Sequence, residues 1–481
     1  MAAPSTADAG TRRTGTRPRR SPVSQLSIVQ RVGLVLAVLV PPIPLLVDVP
    51  GLEPMGERML AIFLLAIILW VTEAVPLVAT AVLVIFLEVL LISDQALLAV
   101  PDDVPTAASF YAALANPVII LFLGGFLIAD AASKYGLDRN LAAVLLRPFR
   151  SSARLTVLGL MAITAGLSMF MSNTATTATM FAVLIPVLAV LPSGAARTGF
   201  ALSIPVAANV GGIATPVGSP PNAIALAALT ERGEQITFVG WMIATLPLMI
   251  VLLVAAWLLL AWRYVPKSLA VDLDLEARFD RRPKAIVFYV VAATTILLWL
   301  TEPLHGIPST TVGFLPVVAL LLTQVMSGED IKVLQWPVLW LVAGGIALGI
   351  GVGTSGLDEW LIGLVSWSTL PQAAILAALA VGALLLSTTI SNSATANLLI
   401  PIALGLAVTV GLDTQVVAVV LALACGLAMA LPISTPPNAI AYATGEVSTR
   451  EMATVGIAVG ALGLLLLTVL MPPLWSATGL L

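Results

Sequence analysis

The chain has 481 residues, of which 59% are apolar and only 10% are charged, and its formal net charge is −3. Soluble globular proteins carry about 25% charged residues, whereas a bilayer accommodates the apolar surface that a mean hydropathy of +1.06 implies. This composition excludes a soluble fold, and the scattered basic residues argue against nucleic acid as a partner. One cysteine and one histidine exclude a disulfide framework and a thiolate or imidazole metal cluster. We expect an all-α, polytopic membrane protein in contact with the lipid bilayer.

Helices that cross the hydrocarbon layer need about 20 apolar residues, and eleven segments of the sequence approach or exceed this length. They lie near 28–48, 57–72, 76–94, 113–133, 199–230, 238–263, 284–301, 310–326, 335–353, 415–445 and 452–475. Two further apolar stretches, 155–192 and 371–409, each hold a polar turn near the middle and predict helical hairpins.

The polar ends and centre of the chain divide it into regions. Residues 1–27 are polar and Arg-rich and predict a disordered cytoplasmic tail. The charged residues 264–284 predict a cytoplasmic linker between a first half, 28–263, and a second half, 285–481.

The basic residues predict the orientation of the chain, because loops that stay in the cytoplasm are enriched in Lys and Arg. With the N-terminus in the cytoplasm, only Arg58 and Arg232 of the 22 Lys and Arg residues fall on the outer side. The C-terminus then lies outside. We expect a multi-pass protein of the bacterial inner (cell) membrane.

Four motifs of the first half return in the same order in the second half, which predicts an internal repeat. The pairs are LWVTE at 69–73 and LWLTE at 298–302, GG with GLD at 124–125 and 136–138 and again at 344–345 and 356–358, SNTAT at 172–176 and SNSAT at 391–395, and SPPNAIA at 219–225 and TPPNAIA at 435–441. Each repeat, the first beginning near residue 57, holds five predicted spans and one hairpin. An odd number of crossings inverts the second repeat, and inverted repeats are typical of secondary transporters.

Two acidic residues, Glu73 and Glu302, recur at the ends of matching spans beside Trp70 and Trp299. Ionisable residues at membrane depth often relay protons. A position at a span end beside a tryptophan instead favours an interfacial role, and we interpret both glutamates as structural.

The hairpins carry SNT at 172–174 and SNS at 391–393 midway along their length. Such a turn either joins two complete spans and caps the second or forms the tip of a re-entrant hairpin, and both arrangements return the chain to the same side. A stretch of roughly 38 residues barely suffices for two crossings of about 20 residues each. We favour re-entrant hairpins, because irregular backbone is tolerated at membrane depth where it lines a cavity.

The motifs SPPN at 219–222 and TPPN at 435–438 lie inside two of the long apolar segments. Two consecutive prolines interrupt a helix. The simplest interpretation is a kink without a ligand, but matching interruptions in both halves are typical of a transporter site. The carbonyls before each Pro-Pro can coordinate a cation, and the N–H groups of the helix that restarts favour an anion.

Neither the hairpin turns nor the helix breaks contain Lys, Arg, His, Asp or Glu. An anion at membrane depth needs compensating positive charge, which only helix N-termini and bound cations supply here. Hydroxyl and carbonyl oxygens suit a hard cation. The sequence predicts a cation-coupled anion carrier. A membrane enzyme is disfavoured because no nucleophile–base pair is present, and a sodium/proton antiporter because no acidic residue lies at a helix break.

These motifs resemble those of the divalent anion/sodium symporter family, the sodium-coupled carriers of dicarboxylates, citrate and sulfate, over essentially the whole chain from about residue 50. The resemblance implies symport of C4 dicarboxylates (succinate, malate, fumarate) with Na+ by a homodimer in which a transport domain moves elevator-fashion. The residues that it assigns to the substrate are Ser172, Asn173, Thr174, Ser219, Pro220, Ser391, Asn392, Ser393, Thr435 and Pro436. The residues that it assigns to sodium are Ser168, Ser172, Asn173 and the Gly218 carbonyl, and in the second half Ser387, Asn392 and the Ser434 carbonyl.

The sequence departs from the family pattern at Ser393, where threonine is usual, and at Ser387, where threonine is common. The missing methyl group at Ser393 leaves more room, so the choice among C4 dicarboxylates, citrate and sulfate stays open. The family also contains dicarboxylate exchangers that move no net sodium, and exchange is the alternative to symport.

Overall fold

The computed structural model describes residues 26–101, 104–149, 151–192, 194–267, 269 and 278–479. Within these ranges the chain consists of helices and connecting turns, without a β-strand. The predicted tail lies outside the described residues except for its last two positions, and so does the centre of the predicted linker. On either side of the predicted linker, one helix ends at Arg263 and the next begins at Pro283.

The described chain before the first hairpin forms seven α-helices. They are α1 (Ile28–Leu39), α2 (Ile43–Leu46), α3 (Pro54–Thr72), α4 (Leu77–Ile92), α5 (Ala107–Ala112), α6 (Pro117–Lys134) and α7 (Leu137–Leu145). The stretch 28–48, predicted as one span, is interrupted between α1 and α2, which together still form one candidate span. The cause is the pair Pro41 and Pro42, which supply no backbone N–H to continue the helix.

The first hairpin and the helices after it complete the first half. They are α8 (Ala153–Ser168), α9 (Asn173–Val190), α10 (Ala195–Gly212), α11 (Pro220–Glu231) and α12 (Phe238–Arg263). The segment 199–230 is interrupted between α10 and α11, as the sequence predicted. Pro220 occupies the first position of α11, where a helix needs no N–H from that residue.

The second half repeats this order. Its helices are α13 (Pro283–Leu300), α14 (Glu302–His305), α15 (Ser309–Val312), α16 (Phe314–Leu322), α17 (Gly328–Lys332), α18 (Trp336–Thr354), α19 (Leu357–Gly363), α20 (Gln372–Thr389), α21 (Asn392–Val410), α22 (Thr414–Gly426), α23 (Pro436–Ala443), α24 (Thr449–Leu465) and α25 (Met471–Thr478). The second hairpin is α20–α21, and the second break separates α22 from α23.

Nine helical segments of the described chain are long and apolar enough to cross a membrane. They are Ile28–Leu46, Pro54–Thr72, Ala107–Lys134, Phe238–Arg263, Pro283–Leu300, Trp336–Thr354, Gln372–Thr389, Asn392–Val410 and Thr449–Thr478. Shorter apolar helices, such as α4 and α22, lie among them. The chain is therefore a multi-pass, all-helical membrane protein.

Glu302 has a structural position at the end of its span. Its carboxylate accepts hydrogen bonds from the backbone N–H groups of Phe238 (3.0 Å) and Ser309 (3.1 Å). Trp299 donates its Nε1–H to the Ser309 carbonyl at 3.0 Å. These contacts join the starts of α12 and α15, and they support the structural interpretation of Glu302. Glu73 ends α3 in the left-handed conformation, with φ of 46°.

The repeated Gly-Gly pair on α18 allows close helix packing, which gives a first test of the fold. A Cβ atom at Gly344 would lie 2.7 Å from Ala81 Cα on α4, whereas a Cβ at Gly353 on the same helix meets no atom within 4 Å. We expect Gly344→Ala to destabilise the protein by about 1–3 kcal/mol, the usual effect of overpacking. Gly353→Ala is the matched control and should leave stability unchanged or raise it by up to about 1 kcal/mol through helix propensity. Thermal unfolding of the purified variants in detergent measures both, and equal midpoints would contradict the close approach of α18 and α4.

Candidate substrate and cation site

Four segments of irregular backbone meet at one cavity of about 530 Å³. They are the hairpin turns at 169–172 and 390–391 and the helix breaks at 213–219 and 427–435. The two halves of the chain therefore contribute equivalent segments to a single site.

The hairpin turns place helix N-termini at the cavity. Ser172 caps α9 by accepting a hydrogen bond from the Ala175 N–H at 3.2 Å. Ser391 caps α21 in the same way, accepting from the Ala394 N–H at 3.1 Å. Because the first N–H groups of a helix carry partial positive charge, two such N-termini at one cavity suit an anion.

Oxygen atoms surround the side chain of Asn173 behind the first tip. The fully buried Ser168 hydroxyl lies 2.6 Å from Asn173 Oδ1 and 2.9 Å from the Ala208 carbonyl. The amide can be assigned in either orientation. With Nδ2 turned to the cluster, it donates to Ser168 Oγ and to the carbonyls of Gly218 (3.2 Å) and Ala208 (3.3 Å). With Oδ1 in that place, the Ser168 hydroxyl and the carbonyl oxygens of Gly218 and Ala208 lie within 3.3 Å of it, and such a set of oxygens suits a hard cation.

The second hairpin repeats this arrangement. Ser387, also fully buried, has its hydroxyl oxygen 2.8 Å from Asn392 Oδ1 and 3.0 Å from the Cys425 carbonyl. A hydroxyl has one proton, so Ser387 can donate to only one of these oxygens at a time. A cation would compensate the remaining oxygen–oxygen contact.

The last residue of each Pro-Pro-Asn motif holds the unwound backbone together. Asn222 Nδ2 donates to the carbonyls of Gly212 and Thr215 at 3.0 and 2.7 Å. Asn438 Nδ2 donates to two carbonyls of the second break at 2.8 and 2.9 Å. Buried carbonyls without a partner are unfavourable, so these asparagines stabilise both breaks. The sequence interpretation assigned neither residue a role.

The structure brings most of the predicted site residues together. The ten predicted substrate residues all line the cavity, and they are Ser172, Asn173, Thr174, Ser219, Pro220, Ser391, Asn392, Ser393, Thr435 and Pro436. Gly218 and Ser434 also line it. The predicted cation ligands Ser168 and Ser387 lie behind the tips and contact Asn173 and Asn392.

Sequence reasoning missed four contributors to the site. Two are the carbonyls of Ala208 and Cys425 described above. Gln335, just before α18, lines the cavity and donates its Nε2–H to Ser172 Oγ at 3.0 Å. Asn209 on α10 also lines it and contacts the second break. An asparagine in an apolar segment was a detectable signal, whereas Gln335 lies in a loop outside the repeated motifs.

The cavity has two chemically different sides. The polar wall consists of the hairpin tips and helix breaks. The apolar wall comes from α4, the turn before it, α6 and α18, and its residues are Pro76, Leu77, Val78, Phe122, Phe126, Pro337, Val338 and Leu341. Among the described residues that line the cavity, none is charged.

Paired helical hairpins and broken helices around an uncharged cavity are typical of carriers of small solutes. A family model described as a citrate transporter (CitMHS) matches residues 67–426 and, in a second match, 296–479. The chain belongs to this citrate transporter family, which confirms that it is a membrane transporter.

Similar proteins cover nearly the whole chain. The sodium-dependent dicarboxylate transporter SdcS of Staphylococcus saprophyticus is 30% identical over 92% of this chain and 92% of its own length. SdcS of Staphylococcus aureus is 30% identical over 89% of this chain and 88% of its own length. An uncharacterized transporter of Haemophilus influenzae is 31% identical over 85% of this chain and 90% of its own length.

Two solved structures share the fold at low sequence identity. The YdaH transporter of Alcanivorax borkumensis has a TM-score of 0.56 and 16% identity, over 77% of this chain and 88% of its own. Neisseria gonorrhoeae MtrF, from a class of antimetabolite efflux pumps, has a TM-score of 0.50 and 12% identity, over 88% of this chain and 95% of its own. Both matches support a membrane-transporter fold and carry no information on the substrate.

Cysteines at the two tips test whether water and substrate reach them. In a Cys425→Ala background, which removes the single native thiol but keeps its carbonyl, we expect Thr174→Cys and Ser393→Cys to react with a small polar thiol reagent. Succinate with sodium should protect both, because both positions line the cavity. Val290→Cys, on the exposed apolar face of α13, is the control and should be insensitive to substrate.

The possible results separate the two interpretations of the hairpins. Tip cysteines that stay inert with and without sodium would contradict the site. Labelling that substrate never changes would favour two complete spans joined by a simple turn.

Proposed function

We propose that this protein is a sodium-coupled symporter of C4 dicarboxylates such as succinate, malate and fumarate. The observation that carries the proposal is the pairing, at one uncharged cavity, of two helix N-termini with two oxygen clusters. Two N-termini suit the two carboxylates of a short dianion, and two oxygen clusters suit two cations. The similarity to transporters named sodium-dependent and dicarboxylate supports this choice of ligands.

The coupling follows from the need to neutralise a dianion at membrane depth. An uncompensated charge in an apolar environment is very unfavourable, and no side chain that lines the described cavity is basic. Bound sodium then supplies the positive charge that the side chains do not. Substrate affinity is low without sodium and rises when the ion sites fill.

Asn173 and Asn392 are placed to transmit this coupling. Each amide has one carbonyl acceptor and two N–H donors, so the oxygen can bind the ion while an N–H faces a carboxylate. An ion that fixes the oxygen also fixes the donors. By linkage, the substrate strengthens ion binding by the same factor.

We propose further that the polar wall moves as a body against the apolar wall, elevator-fashion, so that the cavity opens to each side in turn. The apolar side chains suit this motion because they offer no hydrogen bonds that must be exchanged, and the bond from Gln335, just before α18, to Ser172 breaks as the walls move. Re-entrant hairpins, a homodimer, a bacterial inner membrane and a cytoplasmic N-terminus belong to the same proposal. The distribution of basic residues and the bacterial relatives support the last two.

Uptake of radiolabelled succinate into proteoliposomes tests the proposal directly. We expect uptake that requires an inward sodium gradient, fails when choline replaces sodium, and depends on sodium with a Hill coefficient above one. Sodium-independent net uptake without an internal anion would contradict symport. Strict dependence on a preloaded dicarboxylate would identify an exchanger instead.

Substitution of the tip asparagines tests the coupling. We expect Asn173→Ala to weaken sodium and succinate binding together, by about tenfold or more each, the effect of losing a hydrogen bond to a charged group. Asn173→Asp should be at least as damaging, because it places a negative charge beside a dianion. Asn116→Ala is the control, since Asn116 is a buried asparagine that contacts Glu231 away from the cavity. Isothermal titration measures both affinities, and unchanged binding in Asn173→Ala would exclude the asparagine mechanism.

A further inference from the structure

The two helix breaks are alike in sequence but differ in their hydrogen bonds. In the first break, Asn222 donates its Nδ2–H groups to two carbonyls, so its orientation is fixed and its Oδ1 faces Ser219. Ser219 Oγ donates to Asn222 Oδ1 at 3.1 Å. The single proton of this hydroxyl is therefore engaged inside the protein, and its remaining lone pairs face the cavity that Ser219 lines.

The second break reverses this pattern. Asn438 is oriented as Asn222 is, by two carbonyls of the break, but its Oδ1 accepts from Asn209 Nδ2 at 3.2 Å. Thr435 Oγ1 accepts from Asn209 Nδ2 at 3.2 Å and from the Asn438 backbone N–H at 3.3 Å. Both lone pairs of the Thr435 hydroxyl are thus used, and its proton is left for the cavity.

Asn209 causes the difference, and its amide orientation follows from its surroundings. Asn438 Oδ1 can only accept a hydrogen bond, so Asn209 must present Nδ2 to it. The first half has no equivalent contact, because the position in α22 that matches Asn209 is Gly426. Ser168 contacts the carbonyl of Ala208, the residue before Asn209. Ser387 contacts the carbonyl of Cys425, the residue before Gly426. These equivalent contacts show that Asn209 and Gly426 occupy matching positions. Asn209 is only 2% exposed.

We propose that Asn209 is a positioning residue that makes Thr435 a hydrogen-bond donor to the bound ligand and leaves Ser219 as an acceptor. This inference rests on the proposed dicarboxylate transport. A carboxylate only accepts hydrogen bonds, so one carboxylate binds at Thr435. A donor group of the ligand binds at Ser219, because a carboxylate there would force Ser219 to release Asn222 and leave a buried oxygen unpartnered. The favoured substrate class is a dicarboxylate with a hydroxyl beside one carboxylate, such as malate.

A double-mutant cycle tests the action of Asn209 through Thr435. We expect Asn209→Ala to raise the KM for malate about tenfold with kcat within about twofold, because Thr435 loses one of the two donors that leave its proton for the ligand. Thr435→Val should have a similar effect alone. In the double variant, the KM for malate should rise about 10–20-fold, whereas two independent effects would raise it roughly 100-fold. Thr435→Val also removes the side-chain cap of α23. Because it does so both with and without Asn209, this effect cancels in the cycle.

Control variants separate positioning from general destabilisation. Asn397 is a fully buried asparagine on α21 that does not line the cavity. Asn397→Ala should lower the thermal unfolding midpoint without coupling to Thr435→Val. Asn209→Ser, whose hydroxyl can bond within its own helix, replaces the alanine variant if that variant does not fold, and the same coupling is expected.

Ser219→Ala tests the acceptor end with a pair of ligands. We expect the KM for malate to rise about tenfold, because the bond to the ligand hydroxyl is lost, while the KM for succinate stays within about twofold. Equal effects on malate and succinate would overturn the assignment of Ser219.

The native chain, assayed in the same vesicles, distinguishes the failures. Sodium-dependent uptake by the native chain with additive effects of Asn209 and Thr435 substitutions would overturn this inference and leave the proposed function standing. Absence of sodium-dependent uptake of either ligand would overturn both.

Discussion

Unwound backbone at membrane depth presents carbonyl and N–H groups that lipid cannot solvate, and each must find a partner within the protein. The whole site depends on how this requirement is met. Asn222 and Asn438 engage carbonyls of the two breaks, and Ser172 and Ser391 engage N–H groups at the two tips. The groups that remain are N–H donors at the helix N-termini beside the cavity and oxygen acceptors behind the tips. A combination of an anion and cations complements both sets.

The site combines symmetric and asymmetric features from one repeated sequence pattern. The contacts behind the tips are nearly identical, since Ser168 and Ser387 each lie within 2.6–3.0 Å of an asparagine oxygen and a main-chain carbonyl. The breaks differ because Asn209 crosses from the first half to the second. A duplicated scaffold thus holds two equivalent oxygen clusters beside two helix breaks with different hydrogen bonds.

Much of the fold was predictable because proline and polar residues are conspicuous in apolar segments. The helix breaks followed from Pro220 and Pro436, and the same argument applied to Pro41 and Pro42 would have predicted the interruption in the first span. The carbonyl contacts of Ser168 and Ser387 were not predictable, since every residue has a carbonyl and only helix packing selects one. The partners of Asn209 lie 226 and 229 positions away, so tertiary structure alone brings them together.

The side of the cavity formed by Phe122, Phe126 and Leu341 bears on the efficiency of energy conversion. A surface without polar groups does not solvate a net charge that moves along it. The desolvation penalty for an unpaired ion in such surroundings is on the order of several kcal/mol or more. In the proposed symport, a dianion bound with two sodium ions is neutral overall, whereas a site with substrate alone or ions alone is not. The proposed mechanism implies that incompletely loaded states are retarded at this surface, so that the sodium gradient is not dissipated by cycles without substrate. In the proposed symport, the fixed ratio of sodium to substrate then depends on apolar residues that contact neither sodium ion.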